Sequence, residues 1–583
     1  MFDLVVKNGK VIDGTGNGWF NADVGVVGEK IGYLGGIEAS EGDKVIDVDG
    51  LFVAPGFIDF HAHSDYLLLA DPHAENKLVQ GVTTDVSGNC GFSPGPFGLK
   101  WLVDWWVADK PKDENGETIW TVDWDEANKI CKKELGYTLD WKTIDEYLQK
   151  QEKIGAALNY CQLVGHHALR AAATGDVIRK PTKDELKEME RLLDQAMKEG
   201  AFGFSCGFDI AQKVDAEEFV KLCEVVARYG GIFANHFRPL YFEEPNFPNM
   251  EFREAYPSLS VYEAIQIAEK AGVRMTISHL TVDGKANWGK SEIELKMIDE
   301  ARSRGVEIVL DQIPFLAGGN YWRTELIEIL PDWIRKKDVE DILEELREPE
   351  TRQKVSNELR EGVPGNRMAR GLRRPFWEDA MTIAYCGTTR ELEWKTMREI
   401  AREKRMDERE AIFELILENE GLVNVVWFTR SDEETIRIMQ HPLTMFGSDG
   451  GILRAIEREM YGKGEAWNRI PNPRVYGTFP RVLGRYVREK KVLRLEEAIR
   501  KMTSAPALTL GIGDRGLLRK GFYADIVVLD PETVMDTPSY VDWPPTYTKG
   551  IEHVIVNGGV ALENGKPTEE LHGKILRHKL ERL

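Results

Sequence analysis

Six side chains with metal-binding atoms stand at or near the ends of apolar segments in this 583-residue chain. His61 and His63 close the run Pro55-Gly56-Phe57-Ile58-Asp59-Phe60-His61-Ala62-His63. Residues i and i+2 of a strand point to the same side, so the two imidazoles can grip one cation from one direction. Cys90 lies in Ser87-Gly88-Asn89-Cys90-Gly91-Phe92, His236 in Ala234-Asn235-His236-Phe237-Arg238, His279 in Ile277-Ser278-His279-Leu280, and Asp449 in Phe446-Gly447-Ser448-Asp449-Gly450. Taken singly, each has an ordinary reading: a hydrogen-bonded histidine, a small buried thiol, a turn-forming aspartate before glycine. Taken together, four of the eleven histidines, one cysteine and one aspartate at strand ends suit a metal-dependent hydrolase.

The elements that must position these groups alternate. Eight strand candidates, Gly56–His63, Val82–Gly88, Ala157–His166, Ala201–Gly207, Gly231–Arg238, Val273–Thr281, Val306–Phe315 and Leu443–Gly450, are separated by amphipathic helical patterns such as Lys183–Lys198 and Glu292–Ser303. Eight β/α units predict a closed parallel (β/α)8 TIM barrel, whose chemistry lies at the C-terminal strand ends. Short β segments at both ends of the chain predict a small β-sandwich built from the two termini. The expected division is 1–55 and 516–583 for the sandwich and 56–515 for the barrel. Two insertions interrupt the barrel: a Trp-rich one at about 97–137, and a mostly helical one at about 316–442, too long for a simple crossover.

Composition narrows the partners. A formal net charge of −21 argues against nucleic acid and anionic membrane. No apolar run approaches the roughly 20 residues of a membrane-spanning helix. The N-terminus reads as a strand and a turn rather than a secretory signal. The six cysteines have no disulfide or CxxC spacing and read as reduced thiols of a cytoplasmic protein. The sequence leaves a homo-oligomer open.

On several of these motifs the chain resembles the amidohydrolase superfamily and, within it, the D-aminoacylases. The resemblance runs through Ala54–Asp65, Gly81-Val82-Thr83-Thr84, Gly88–Pro94, Val164-Gly165-His166, Gly230–Arg238, Asn287-Trp288-Gly289-Lys290, His441-Pro442, Gly447–Gly450 and Met502–Ala507. The His-x-His strand is common to the superfamily; Gly-Asn-Cys-Gly-Phe-Ser-Pro points to the narrower branch. The resemblance implies a tighter Zn²⁺ on Cys90, His236 and His279, a weaker second position on His61, His63 and Asp449, and Asp449 as general base and acid. Many superfamily members bridge two metals with a modified lysine ending strand four; this chain has Phe204-Ser205-Cys206-Gly207 there. Cys206 is a rival thiol. Relatives usually place a lysine right after the Ser-His-x of strand six, where this chain has Thr281, and His-Pro-Arg where it has Asn472-Pro473-Arg474.

The implied reaction is hydrolysis of an amide, most simply of an N-acyl-D-amino acid, with a small-molecule substrate. Bound zinc would lower the pKa of water toward roughly 7 and polarise the carbonyl. Alternatives are a cyclic-amide hydrolase of the hydantoinase or dihydroorotase kind, an amidase on a bulky or dipeptide-like amide, and a non-catalytic scaffold. Gly203-Phe204-Ser205-Cys206-Gly207 matches the spacing of a serine nucleophile elbow, without an evident Asp and His to complete it. His166, Arg238, Lys285 and Tyr321 are the expected substrate contacts; Tyr321 would cap the pocket together with Trp322 and Arg323.

Overall fold

A computed structural model of the chain describes residues 1–104, 107, 111, 113, 118–207, 214–236, 256–318, 323–361, 372, 376–452, 472–537 and 548–579. Eight strands run parallel in chain order: β1 (Phe57–Asp59), β2 (Val82–Ser87), β3 (Asn159–Gln162), β4 (Gly203–Gly207), β5 (Ile232–His236), β6 (Arg274–Ile277), β7 (Ile308–Gln312) and β8 (Thr444–Phe446). β1, β2 and β3 pair in that order, and β4 through β8 pair in that order. β3 breaks at Leu163 and continues as Val164–Gly165, which pairs with β4. The ends of the series also meet: the Phe60 N–H donates to Phe446 O, Ala62 bridges Gly450, and the Asp449 N–H donates to His61 O at 2.8 Å. Buried on both faces, such strands read as apolar runs rather than alternating ones. Ile58, Val86, Cys161, Ile232, Ala234 and Met445 from five of them pack into one cluster.

The helices carry strong start signals. Thr182 caps Lys183–Lys198 by accepting from the Glu185 N–H while the Glu185 side chain reaches back, and the helix buries Met189, Leu192, Leu193, Ala196 and Met197 along one stripe. The helix His166–Thr174 starts one residue after the end of the third strand, so His166 belongs to the helix.

Strands from both termini form one nine-stranded sheet, in which Phe52–Pro55 lies between Phe2–Val11 and Ile526–Leu529. Between β7 and β8 the chain builds more than helices. Arg323–Glu325, Met381–Cys386 and Val423–Trp427 form a three-stranded antiparallel sheet, and helices such as Pro349–Glu361 and Glu408–Glu418 pack with it around a separate core that includes Leu330, Ile342, Leu359, Ile383 and Phe413. The Trp-rich segment folds in as well: Trp101–Leu102 pairs with Thr121–Val122, and the buried Trp101 donates its indole N–H to Tyr66 Oη at 3.0 Å. Among the described residues no helix is long and apolar enough to cross a membrane.

Candidate metal centre

The six predicted ligands meet at the C-terminal ends of the strands. Their donor atoms fall into two groups, each within 4.8 Å: His61, His63, Cys90 and Asp449, and Cys90, His236 and His279. Cys90 belongs to both. Its Sγ lies 3.3 Å from His61 Nε2, 3.2 Å from His236 Nδ1 and 3.5 Å from His279 Nε2. Zinc–sulfur and zinc–nitrogen bonds at a tetrahedral angle place S and N about 3.5 Å apart. Each of these sulfur–nitrogen pairs is therefore spaced as it would be with a cation bound between the two atoms. A thiolate, imidazoles and a carboxylate also fit zinc chemically. His63 Nε2 is 2.9 Å and His61 Nε2 3.6 Å from Asp449 Oδ1.

Backbone conformation shows how the chain aims these groups. Cys90, His279 and Asp449 have φ of 51°, 36° and 47°. The left-handed region costs an L-residue roughly 1–2 kcal/mol, and such strain collects at functional sites. Each of the three leaves its strand by a sharp turn that brings the side chain back over the strand ends. Asp311, at the buried end of β7, anchors two of the ligands: Oδ1 lies 3.2 Å from His61 Nδ1 and accepts the His279 backbone N–H at 2.7 Å. A carboxylate can only accept, so it holds the proton on His61 Nδ1 and leaves Nε2 facing Cys90.

Behind the centre lies a buried ion triad. Lys77, Asp59 and Asp85 are fully buried. The Lys77 ammonium donates to Asp59 Oδ2 at 2.6 Å, Ser448 Oγ at 3.1 Å and Gly450 O at 2.9 Å, and stands 3.2 Å from Asp85 Oδ2. It thus fastens the loop bearing Asp449 to the strand that leads into His61.

The electrostatics favour neutral imidazoles at His63 and His279 and an ionised carboxylate at Asp449. Burial, then neighbouring His236, holds His279 well below the usual histidine value. Burial lowers His63 against the pull of Asp449. Burial also lowers His61, but the Asp311 carboxylate and its hydrogen bond, with Asp449, leave it raised, so a proton there competes with a cation for the site as pH falls. Burial pushes Asp449 up, but Arg474, whose Nη1 is 2.6 Å from Asp449 Oδ2, and then His63 bring it well below the carboxylate range.

The other predicted residues lie elsewhere. His166 is buried with Nε2 2.7 Å from Glu218 Oε1, and burial takes it down to about 4. The helix start turns its ring toward Ala216–Ala227, which corrects its expected place at a strand end. The Lys285 ammonium pairs with Asp379 at 2.9 Å and sits over the Phe376 ring, fastening its loop to the late insertion. Arg238 and Tyr321, with Trp322, fall outside the described residues. Cys206 packs with Phe204 and Cys223 on the helix-facing side of β4, the face opposite to Ser205, and neither ligand group includes it. Asp311, Arg474 and Lys77 were not predicted as site residues. A charge inside an apolar strand was the available signal for Asp311, and the Asn472-Pro473-Arg474 segment, which stands where relatives have His-Pro-Arg, was the signal for Arg474; Lys77 had none.

A family model described as Amidohydrolase family matches residues 44–231 and 468–561. An N-acyl-D-glutamate deacylase of Alcaligenes xylosoxydans xylosoxydans is 32% identical over 577 residues, covering 99% of this chain and 96% of the relative. A D-aminoacylase of the same organism is 30% identical over 580 residues, covering 99% and 97%. The crystal structure of an N-acyl-D-glutamate deacylase from Bordetella bronchiseptica, complexed with zinc and a phosphonate mimic of the tetrahedral intermediate, aligns with a TM-score of 0.68 at 29% identity, covering 99% of both chains.

Proposed function

The chain belongs to the amidohydrolase family, in its D-aminoacylase branch, and from that premise we propose that it is a zinc-dependent hydrolase that cleaves an N-acyl-D-amino acid to a carboxylate and the free D-amino acid. The observation that carries this reading is the shared thiol: Cys90 Sγ sits within 3.5 Å of three imidazoles from three different strand ends. Cys90, His236 and His279 form the tighter position and His61, His63 and Asp449 a weaker one. When bound, zinc supplies a Lewis acid that acidifies water and polarises the substrate carbonyl. Asp449, ionised beside Arg474, accepts the proton of the attacking water on the oxygen that faces His63. It then delivers that proton to the departing nitrogen, which leaves as an amine. Asp311 keeps His61 in the tautomer that offers Nε2.

On sequence position alone, Arg238, two residues beyond His236, and Tyr321, at the start of the late insertion, are proposed as substrate contacts. We read 56–515 as the catalytic unit, 1–55 with 516–583 as the β unit beside it, and the six buried cysteines as those of a protein kept in a reducing cytoplasm.

Amine release from matched N-acetyl-D- and N-acetyl-L-amino acids, with zinc added to the purified protein, tests the reading. Release from the D series alone is expected. No release from either series by zinc-loaded protein would move the substrate to cyclic or bulkier amides.

A further inference from the structure

Ser205 occupies the centre of Gly203-Phe204-Ser205-Cys206-Gly207, the spacing of a serine nucleophile. Its surroundings are not those of a nucleophile. The hydroxyl donates to Gly88 O at 2.5 Å and accepts from the Gly91 N–H at 3.0 Å. A carbonyl oxygen cannot take up the proton as a base would, so the hydroxyl is engaged rather than activated. What the two bonds span is the turn from Gly88 to Gly91, which has Cys90 at its apex.

That turn needs holding. Gly88 and Gly91 have φ of 88° and 83°, and Cys90 between them 51°. A Cβ at Gly88 would meet Leu163 O at 2.2 Å, so the turn is pressed against the third strand. The Asn89 amide donates to Val86 O at 2.9 Å and to Ala62 O at 3.3 Å, and Gly91 O accepts the His167 N–H at 2.8 Å. These bonds hold the turn to β2, to the His-x-His segment and to the helix that follows the third strand. The tie to β4 comes from the Ser205 hydroxyl, on the strand face opposite to Cys206. β4 places no side chain in either ligand group.

We propose that Ser205 is the positioning residue of Cys90: its hydroxyl closes the turn that presents the thiolate where the two ligand groups meet, and so sets zinc affinity. The proposal rests on the reading of Cys90 as a zinc ligand. A residue that orients a ligand from behind typically changes metal affinity 10–100-fold when removed.

The test uses the full chain as Ser205→Ala, Ser205→Thr, Cys90→Ala and the double variant. Zinc affinity is read by chelator competition, and the cobalt-substituted proteins by their thiolate-to-metal absorption; thermal unfolding of the metal-free proteins reports the fold. Ser205→Ala is expected to bind zinc about 10–100-fold more weakly and to lose intensity in the thiolate band. Ser205→Thr, which keeps the hydroxyl, restores most of both. In the Cys90→Ala background, Ser205→Ala changes zinc affinity less than about twofold, because its effect runs through the missing thiol. Parental zinc affinity and an unaltered cobalt spectrum in Ser205→Ala overturn the proposal, as does lost turnover with zinc binding intact, which would make Ser205 a substrate-contacting group. Should Ser205→Ala fail to fold, Ser205→Cys, a weaker donor with longer bonds, carries the test, and parental affinity there overturns it equally. Zinc held by Cys90→Ala as tightly as by the parent would instead sink the ligand reading on which the proposal stands.

Discussion

Asp311 and His61 are 250 positions apart in sequence, yet their side chains meet at 3.2 Å, and the same Asp311 oxygen takes the His279 N–H. One carboxylate therefore orients a ligand from each of the two groups that share Cys90. Asp311→Asn keeps the shape but offers the imidazole an amide in place of a carboxylate. Zinc affinity is expected to fall roughly 10–100-fold, read by chelator competition, with the folded protein retained. Unchanged affinity would mean that the His61 orientation is set elsewhere.

In the proposed mechanism Asp449 is the residue that separates metal binding from proton transfer. Its replacement by Ala should leave zinc on Cys90, His236 and His279 while turnover drops by about 10²–10⁴-fold, the range of a positioned acid–base group. Zinc content by elemental analysis and kcat on the same preparation separate the two. Activity that survives the change would show that another group moves the proton.

Lys77 is a stability prediction. Burial alone would pull its ammonium down, but Asp59 and Asp85 outweigh this and hold it raised. Lys77→Met leaves two buried carboxyls without their cation, a loss of about 3–5 kcal/mol when one partner of a buried ion pair is removed. Chemical denaturation should show the midpoint falling, and Asp59→Asn added to Lys77→Met should recover part of it. A midpoint that does not move would show that the triad is not what stabilises this side of the barrel.

Glu294 gives a pH dependence away from the centre. It is fully buried, neither carboxyl oxygen has a hydrogen-bond partner, and burial, with Glu434 nearby, raises it to about 8. The folded chain thus holds a proton that the unfolded chain releases near its ordinary value of 4.5. With the folded value the higher one, the neutral carboxyl's contribution is complete below pH 4.5 and declines as pH rises to about 8. Glu294→Gln removes the titration, so the variant's Tm should gain on the parent's as pH climbs from 5 to 8, by an amount on the order of a few kcal/mol in stability. Parallel Tm curves across that range would contradict a buried neutral carboxyl.

Much of the site was legible in the sequence because its signals are local. A His-x-His pair needs only the two-residue period of a strand. Cys90 lies between Gly88 and Gly91, whose positive φ permits its turn, and Asp449 lies between Gly447 and Gly450. The helix Lys183–Lys198 was written in its capping box and apolar stripe, and its limits came out as read. What stayed hidden depends on where distant segments meet. His166 reads as a strand-end group until the helix start turns its ring to Glu218. Lys285 reads as a substrate contact, and its ion pair with Asp379, 94 positions on, was out of reach of any local pattern.

The sequence by itself determined which residues carry chemistry and in what order strands and helices present them, because residue type and periodicity are properties of short stretches. Only the tertiary structure decided that one thiol serves both ligand groups, that Asp311 aims His61, that Lys77 locks the Asp449 loop, and that Ser205 clamps a turn instead of attacking a substrate. Each of these depends on a distance between segments tens to hundreds of residues apart, and such a distance exists only once the strands have paired and their ends have met.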